Sequence, residues 1–256
     1  MSIEINKNSI EKLLKVPRKV AVLDEVFSTN DYIKDSEFDV VISKSQTGGR
    51  GTNNRKFFSP NGGIYLSLKL KPKIPADKIS LITPFTAVAL SKAIEKVCKI
   101  KPQIKWVNDI YISNKKVAGI LCESTLSSDG IEVIVGVGVN VEAQNFPDFN
   151  LNTPTSLEEE SGYEVDKNRL IAELLNEFDG FEDKILYSSF IPYYIDNFYL
   201  KDKPVRVESG DKVYEGIAIG VSGNLALLVN VNGERKEFIS ANVFILDNSL
   251  NKSHDN

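Results

Sequence analysis

The sequence predicts an α+β fold, with a mixed β-sheet flanked by helices and a small C-terminal β-barrel. Three observations point there. Runs of branched residues alternate with segments that are apolar at helical spacing. A polar, glycine-rich stretch from Ser45 to Gly63 interrupts them, long enough that a structureless loop is usually functional or disordered. The texture then changes at Lys201 to Pro204, after which only short β-type runs follow. With 256 residues the chain can bury a full-sized core and carry a small companion. We expect a main domain over 1–200, a small one over 201–247 and a polar tail over 248–256.

In chain order, Asn8 to Leu14 predicts a short amphipathic helix capped by Asn8, with Glu11 three residues on. Val20 to Val26 is strand-like. Ser28 then caps a helical turn, with Asp31 well placed near its N-terminus. Asp39 to Lys44 and Ile64 to Leu70 predict strands, and Leu81 to Val97 a core helix. Gln103 to Tyr111 and Val117 to Ser124 predict a hairpin joined through Ser113-Asn114. Ile131 to Val141 predicts a further strand. Asp166 caps a helix whose Leu170, Ile171, Leu174, Leu175 and Phe178 form one stripe. An aromatic helix is expected near Phe190 to Tyr199. The C-terminal runs VRVES, VYEGIAIGV, NLALLVNV and KEFISANVFIL are separated by Ser209-Gly210, Ser222-Gly223-Asn224 and Asn232-Gly233, and the last is a strong hairpin signal.

Bulk properties exclude several classes. Hydrophobic residues at 42% and charged residues at 26% argue against disorder. A net charge of −4 gives no attraction for a polyanion, so nucleic acid is not expected as a partner. The N-terminal segment lacks the apolar core of a signal peptide, and no run is long enough to cross a bilayer, so we expect no membrane partner and a cytoplasmic protein. Cys98 and Cys122 lie in apolar segments and read as buried structural thiols. The sole histidine, His254, lies in the tail, which excludes a histidine triad or a multi-histidine metal site.

Three clusters can carry chemistry. The loop holds Gln46, Gly48, Gly49, Arg50, Gly51, Thr52, Arg55, Phe57 and Phe58. Its glycines let several amides approach an anion, its arginines offer forks for carboxylate or phosphate, and its rings offer a face for a base. A solvated surface loop is the bland alternative, and a P-loop is excluded because no Lys-Ser/Thr follows. The second cluster joins Lys105-Trp106-Val107-Asn108-Asp109 to Lys115-Lys116, Gly119 and Glu123. On a strand, Trp106 and Asn108 would share one face and Lys105 the other. Asp109 suits Mg²⁺ beside a polyphosphate. An ordinary hairpin with a charged turn is the alternative. The third, Gly136-Val-Gly138-Val-Asn140, lacks the third glycine and the following helix of a dinucleotide site, and instead marks a strand close to a ligand or another backbone.

Together these segments resemble the catalytic domain of biotin protein ligases, with five motifs in the right order across about residues 20–247. Ser28-Thr29-Asn30 matches the STN segment, Arg50-Gly51 the GRG loop, Lys105 to Asp109 the KWPND motif, Lys116 to Leu121 the K-x-x-G-I-L motif, and Gly136 to Asn140 the G-x-G-x-N strand. The resemblance implies a sheet like that of class II aminoacyl-tRNA synthetases and an SH3-like C-terminal unit. It implies biotin contacts at Ser28, Thr29, Asn30, Gln46, Gly49, Arg50, Gly51, Tyr65, Lys116, Gly119, Leu121 and Gly136. ATP contacts would fall at Arg50, Thr52, Arg55, Phe57, Lys105, Trp106, Asn108 and Asn140, and Mg²⁺ at Asp109. Lys116 and Arg50 would be catalytic, and the acceptor would be the biotin carboxyl carrier domain of a carboxylase. Thr52, Asn54 and Phe57 depart from the family's GRGR-x-G-R-x-W. About twenty residues precede the first core strand, too few for the helix-turn-helix of repressor members, so we expect no DNA binding. An exposed sheet edge would suit a homodimer or acceptor docking. Lipoate–protein ligase and a non-catalytic biotin or acyl-carrier binding module are the alternatives. The Gly-Arg segment and Lys116, far apart in sequence, are expected to converge on one cavity.

Overall fold

A computed structural model describes residues 3–52, 55–128, 130–146 and 153–246. Asn54, the tail 248–256 with His254, and the last expected residue of the small domain lie outside the described residues. A seven-stranded mixed sheet contains β1 (Val20–Val26), β2 (Val40–Gln46), β3 (Ile64–Leu70), β4 (Gln103–Lys105), β5 (Asp109–Ile112), β6 (Lys115–Ser127) and β7 (Gly130–Val139). Its order is β1-β2-β3-β7-β6-β5-β4. Only β1 and β2 are parallel, which the intervening helix permits; the other neighbours are antiparallel.

Period-two alternation divides this sheet. Val20, Val40, Ile42, Leu66, Val133, Val135 and Val137 join the main core, whereas Ala21, Val41 and Ile134 pack with Ile33 in a separate small cluster. The main-core face is covered by α3 (Ile82–Cys98), against which α5 (Lys167–Glu177) packs. The other face receives α2 (Thr29–Lys34), which touches β2, β3 and β7. Ser28 and Asp166 cap α2 and α5 as expected, their side chains accepting from the amides of Asp31 and Arg169. Helix α1 (Lys7–Leu13) lies against α5, and its cap is Asn6 rather than Asn8, because the Asn6 side chain reaches the Ser9 amide.

Other boundaries move for identifiable reasons. The expected single strand Gln103–Tyr111 is two short strands separated by a turn at Trp106–Asn108, so strand alternation does not govern those side chains. The turn is held from outside by the buried Trp106, whose indole Nε1 donates to Leu225 O at 2.8 Å. The hairpin through Ser113-Asn114 is as expected, both residues having positive φ. The aromatic helix α7 is shorter, Ile191–Asp196, and three further helical segments were concealed by weak periodicity: the 3₁₀ turn Ala76–Leu81, α4 (Leu157–Ser161) and α6 (Phe181–Leu186).

The C-terminal runs form a five-stranded antiparallel sheet, with β8 (Pro204–Ser209), β9 (Lys212–Val221), β10 (Leu227–Val231), β11 (Glu234–Phe238) and β12 (Asn242–Ile245) in the order β11-β10-β9-β8-β12. It is consistent with the small SH3-like unit expected. The last run splits at Ile239 to Ala241, letting β12 return to pair with β8. Val205, Val207, Leu227 and Val229 join the same apolar core as the main sheet.

Candidate active site

The face of the main sheet that carries α2 also carries the site. Side chains in phase on that face are Tyr65 and Ser67 of β3, Gly136 and Gly138 of β7, and Gly119, Leu121 and Glu123 of β6, with Gly119 opposite Gly138 and Leu121 opposite Gly136. The glycines leave a hollow. A Cβ on Gly138 would stand 2.5 Å from the Phe57 ring, and one on Gly136 would strike the Asn30 amide. Above the hollow lies a cavity of about 470 Å³, a volume suited to a small ligand.

Its walls bring the expected residues together. Ser28, Thr29 and Asn30 come from the start of α2. Gln46, Arg50, Gly51, Thr52, Arg55 and Phe57 come from the long loop and its edge. Asn108, Asp109, Lys116, Gly119, Leu121, Gly136 and Asn140 complete the lining. Arg50 and Lys116, sixty-six positions apart, therefore face one space. Gly49, Tyr65, Lys105 and Trp106 do not line it. Gly49 packs against Ser59 and Phe57 and accepts from the Phe57 amide, while the buried Tyr65 donates to Pro60 O at 2.7 Å. Both shape the loop from behind, and burial pushes the Tyr65 phenol well above its usual range. Lys105 is buried beside Tyr111, 3.4 Å from its hydroxyl, and burial lowers its ammonium pKa while Asp109 opposes that shift.

One end of the cavity has a continuous polar floor. Gln46 Oε1 accepts from Thr29 N at 2.9 Å and from its hydroxyl at 3.1 Å, and Gln46 Nε2 donates to Ser59 Oγ at 3.1 Å. Ser67 Oγ, fully buried, lies 2.8 Å from Thr29 Oγ1 and 2.6 Å from Asn30 Oδ1. Asn30 Nδ2 donates to Glu123 Oε2 at 2.8 Å. Buried polar groups satisfied in this way are rigid, and rigidity suits recognition of a polar ring.

The other end is cationic and aromatic. Lys116 Nζ is 2.6 Å from Asp109 Oδ1 and about 6.0 Å from the centre of the Phe57 ring. Asn108 donates from its amide to Ile120 O at 2.7 Å, and Asn140 donates to Thr155 O at 3.0 Å. The segment at Pro154 and Thr155 is pinned beside Lys116 by backbone bonds in both directions. Among the described residues, no group of three or more His, Cys, Asp or Glu side chains offers a resident metal site. No helix among them is long and apolar enough to cross a membrane.

Ser67, Phe146 and Pro154 were not singled out from sequence, and Glu123 was named in the second cluster without a role. Ser67 and Glu123 had a signal, since each falls in phase with a recognised residue, Tyr65 in one case and Gly119 and Leu121 in the other. Phe146 and Pro154 had none, as tertiary folding alone brings them there.

Residues 26–140 match the profile of the Biotin/lipoate A/B protein ligase family. Over 237 residues the chain is 31% identical to the bifunctional ligase/repressor BirA of Escherichia coli, covering 88% of this chain and 73% of that protein. It is 29% identical to the biotin–[acetyl-CoA-carboxylase] ligase of Paracoccus denitrificans, over 80% of this chain and 89% of that one. Its fold is similar to the biotin protein ligase of Aquifex aeolicus solved in complex with biotin and ATP, with a TM-score of 0.78, 27% identity, and coverage of 89% and 99% of the two chains. The chain belongs to the biotin/lipoate protein ligase family.

Proposed function

We propose that the chain is an ATP-dependent biotin protein ligase, which forms biotinyl-5′-AMP and passes the biotinyl group to a lysine of an acceptor. The observation that carries this reading is the convergence of the Arg50 loop and Lys116 on one cavity whose opposite end has a polar floor. Biotin's ring would sit against Thr29, Asn30 and Gln46, with its chain running over Gly136 and Leu121. Its carboxylate oxygen attacks the α-phosphorus of ATP, and pyrophosphate leaves. Lys116 offsets repulsion between the two anions and stabilises charge that develops between them. Arg50 and the loop amides cover the mixed anhydride and keep water out. Arg55 and Asn108 meet phosphate oxygens, and Phe57, Thr52 and Asn140 meet the nucleoside. The acceptor amine then attacks the acyl carbon and AMP departs.

Magnesium fits as an ion carried in on the nucleotide and held by Asp109, since Mg²⁺ is commonly bound by one or two carboxylates with phosphate oxygens and water. When bound it would neutralise phosphate charge. Lys105 and Trp106 act from behind the wall, holding Asp109 and the Trp106–Asn108 turn in place. We further propose the biotin carboxyl carrier domain of a carboxylase as acceptor and the cytoplasm, where ATP is abundant, as location. Strand β1, at the end of the sheet order, could pair with the acceptor or with a second copy.

The test is biotin-dependent pyrophosphate release and label transfer to a carrier domain, with lipoate as competitor. Lys116→Ala should lower adenylate formation at least about 100-fold, the loss of a preorganised charge in a water-excluded site, and leave the unfolding midpoint near wild type. Near-normal turnover in that variant, or equal use of lipoate, would remove the proposal.

A further inference from the structure

Glu123 stands at the joint between the polar floor and the rim. While Oε2 accepts from Asn30, Oε1 lies 3.6 Å from Nη2 of Arg50 and 3.7 Å from Lys34 Nζ. The same Arg50 nitrogen is 2.6 Å from Asp31 Oδ1, which Lys34 also approaches at 3.1 Å. Arg50 lines the cavity, but neither carboxylate does. The guanidinium is thus gripped from outside by one nitrogen. Its fork carries five N–H donors, two of them on Nη2, so the grip does not exhaust it.

We propose that Asp31 and Glu123 are positioning residues for adenylation: they hold Arg50 at the rim before substrate arrives, and Glu123 ties that setting to the Asn30 floor. The inference rests on the ligase reading. An arginine fixed in advance loses less freedom when it closes on an anion, and the saving appears as tighter retention of the intermediate. Arg50 and Lys34 offset the two carboxylates, so the grip adds no surplus negative charge that would repel an anion. Side-chain exposures of 37% for Arg50, 39% for Asp31 and 31% for Glu123 make each pair modest, about two- to fivefold in the measured rate.

The experiment loads the full chain with biotin and ATP, isolates the adenylate complex, and follows its loss in wild type, Asp31→Asn, Glu123→Gln and the double variant, each also with Arg50→Ala. Expected are losses about two- to fivefold faster for each single variant and about tenfold for the double, with no added effect once Arg50 is alanine. Glu123→Gln keeps an oxygen for Asn30, so its KM for biotin should stay near wild type, whereas Glu123→Ala raises it. Retention unchanged in the double variant, or an equal acceleration in the Arg50→Ala background, overturns the proposal while leaving the ligase reading intact. A wild-type chain that forms no biotinyl-adenylate overturns both.

Discussion

Replacing Gly138 by alanine tests whether the hollow in the sheet is what seats the Phe57 ring. The new methyl would stand 2.5, 2.8 and 3.1 Å from three ring carbons. Ordinary carbon contacts lie at about 3.5–4.0 Å, so the ring must lift by about 1 Å. The same ring also lies over Gly119, where an added Cβ would stand 3.2 Å from it, so the ring sits close to both glycines. Overpacking of this kind costs about 1–3 kcal/mol. If that cost falls on the nucleotide end, KM for ATP rises about 5- to 150-fold, while KM for biotin, read at the Asn30 end, changes little. Steady-state pyrophosphate release with each substrate varied in turn measures the split. Phe57→Leu should recover part of the loss, since the smaller side chain no longer meets the methyl. Equal effects on both substrates, or no rescue by Phe57→Leu, would refute the assignment of the ring to that end.

Gly136→Ala should do the converse, raising KM for biotin about tenfold or more with ATP spared, because its methyl displaces the Asn30 amide; the same assay reads it. Trp106→Phe leaves the carbonyl of Leu225 without its indole donor and should cost about 1–3 kcal/mol of stability in urea unfolding. Burial pushes the Cys98 thiol up to about 11 from its usual 9.0. Between those values the unfolded chain has released a proton that the folded one keeps, so stability falls as pH rises. Unfolding free energies at pH 8 and pH 10.5 under reducing conditions should therefore converge in Cys98→Ala by about 2 kcal/mol relative to wild type, and an unchanged difference would count against burial as the cause.

Most of the fold was legible because the strands are strongly patterned. Val20–Val26 and Ile64–Leu70 match their expected limits, and Ser28 and Asp166 cap the helices named for them. The misreadings share a cause. Trp106, Val107 and Asn108 look like strand, yet a partner more than a hundred residues away, Leu225, holds them in a turn; no local signal reports such a partner. The short helices Leu157–Ser161 and Phe181–Leu186 contain too few turns for periodicity to register. At the site, Arg50 was conspicuous in a glycine-rich loop and Gly138 in a strand, where glycine is unusual, whereas Lys116 was legible only through the resemblance of its K-x-x-G-I-L segment. Tyr65 and Gly49 were expected to contact the ligand, but neither lines the cavity, and both bond within the segment 49–60 or to its end. Sequence shows that a residue matters more readily than it shows what the residue touches.

The segregation of pocket and core on opposite sides of one strand has a further consequence. In β7 the odd-numbered valines feed the interior, whereas Gly136 and Gly138 on the other face furnish the hollow. A slip of one residue would thrust valine methyls into the hollow and leave glycine-sized gaps among the packed side chains. Misalignment would thus cost stability and activity together, so that cohesion of the folded chain proofreads the geometry on which its chemistry depends.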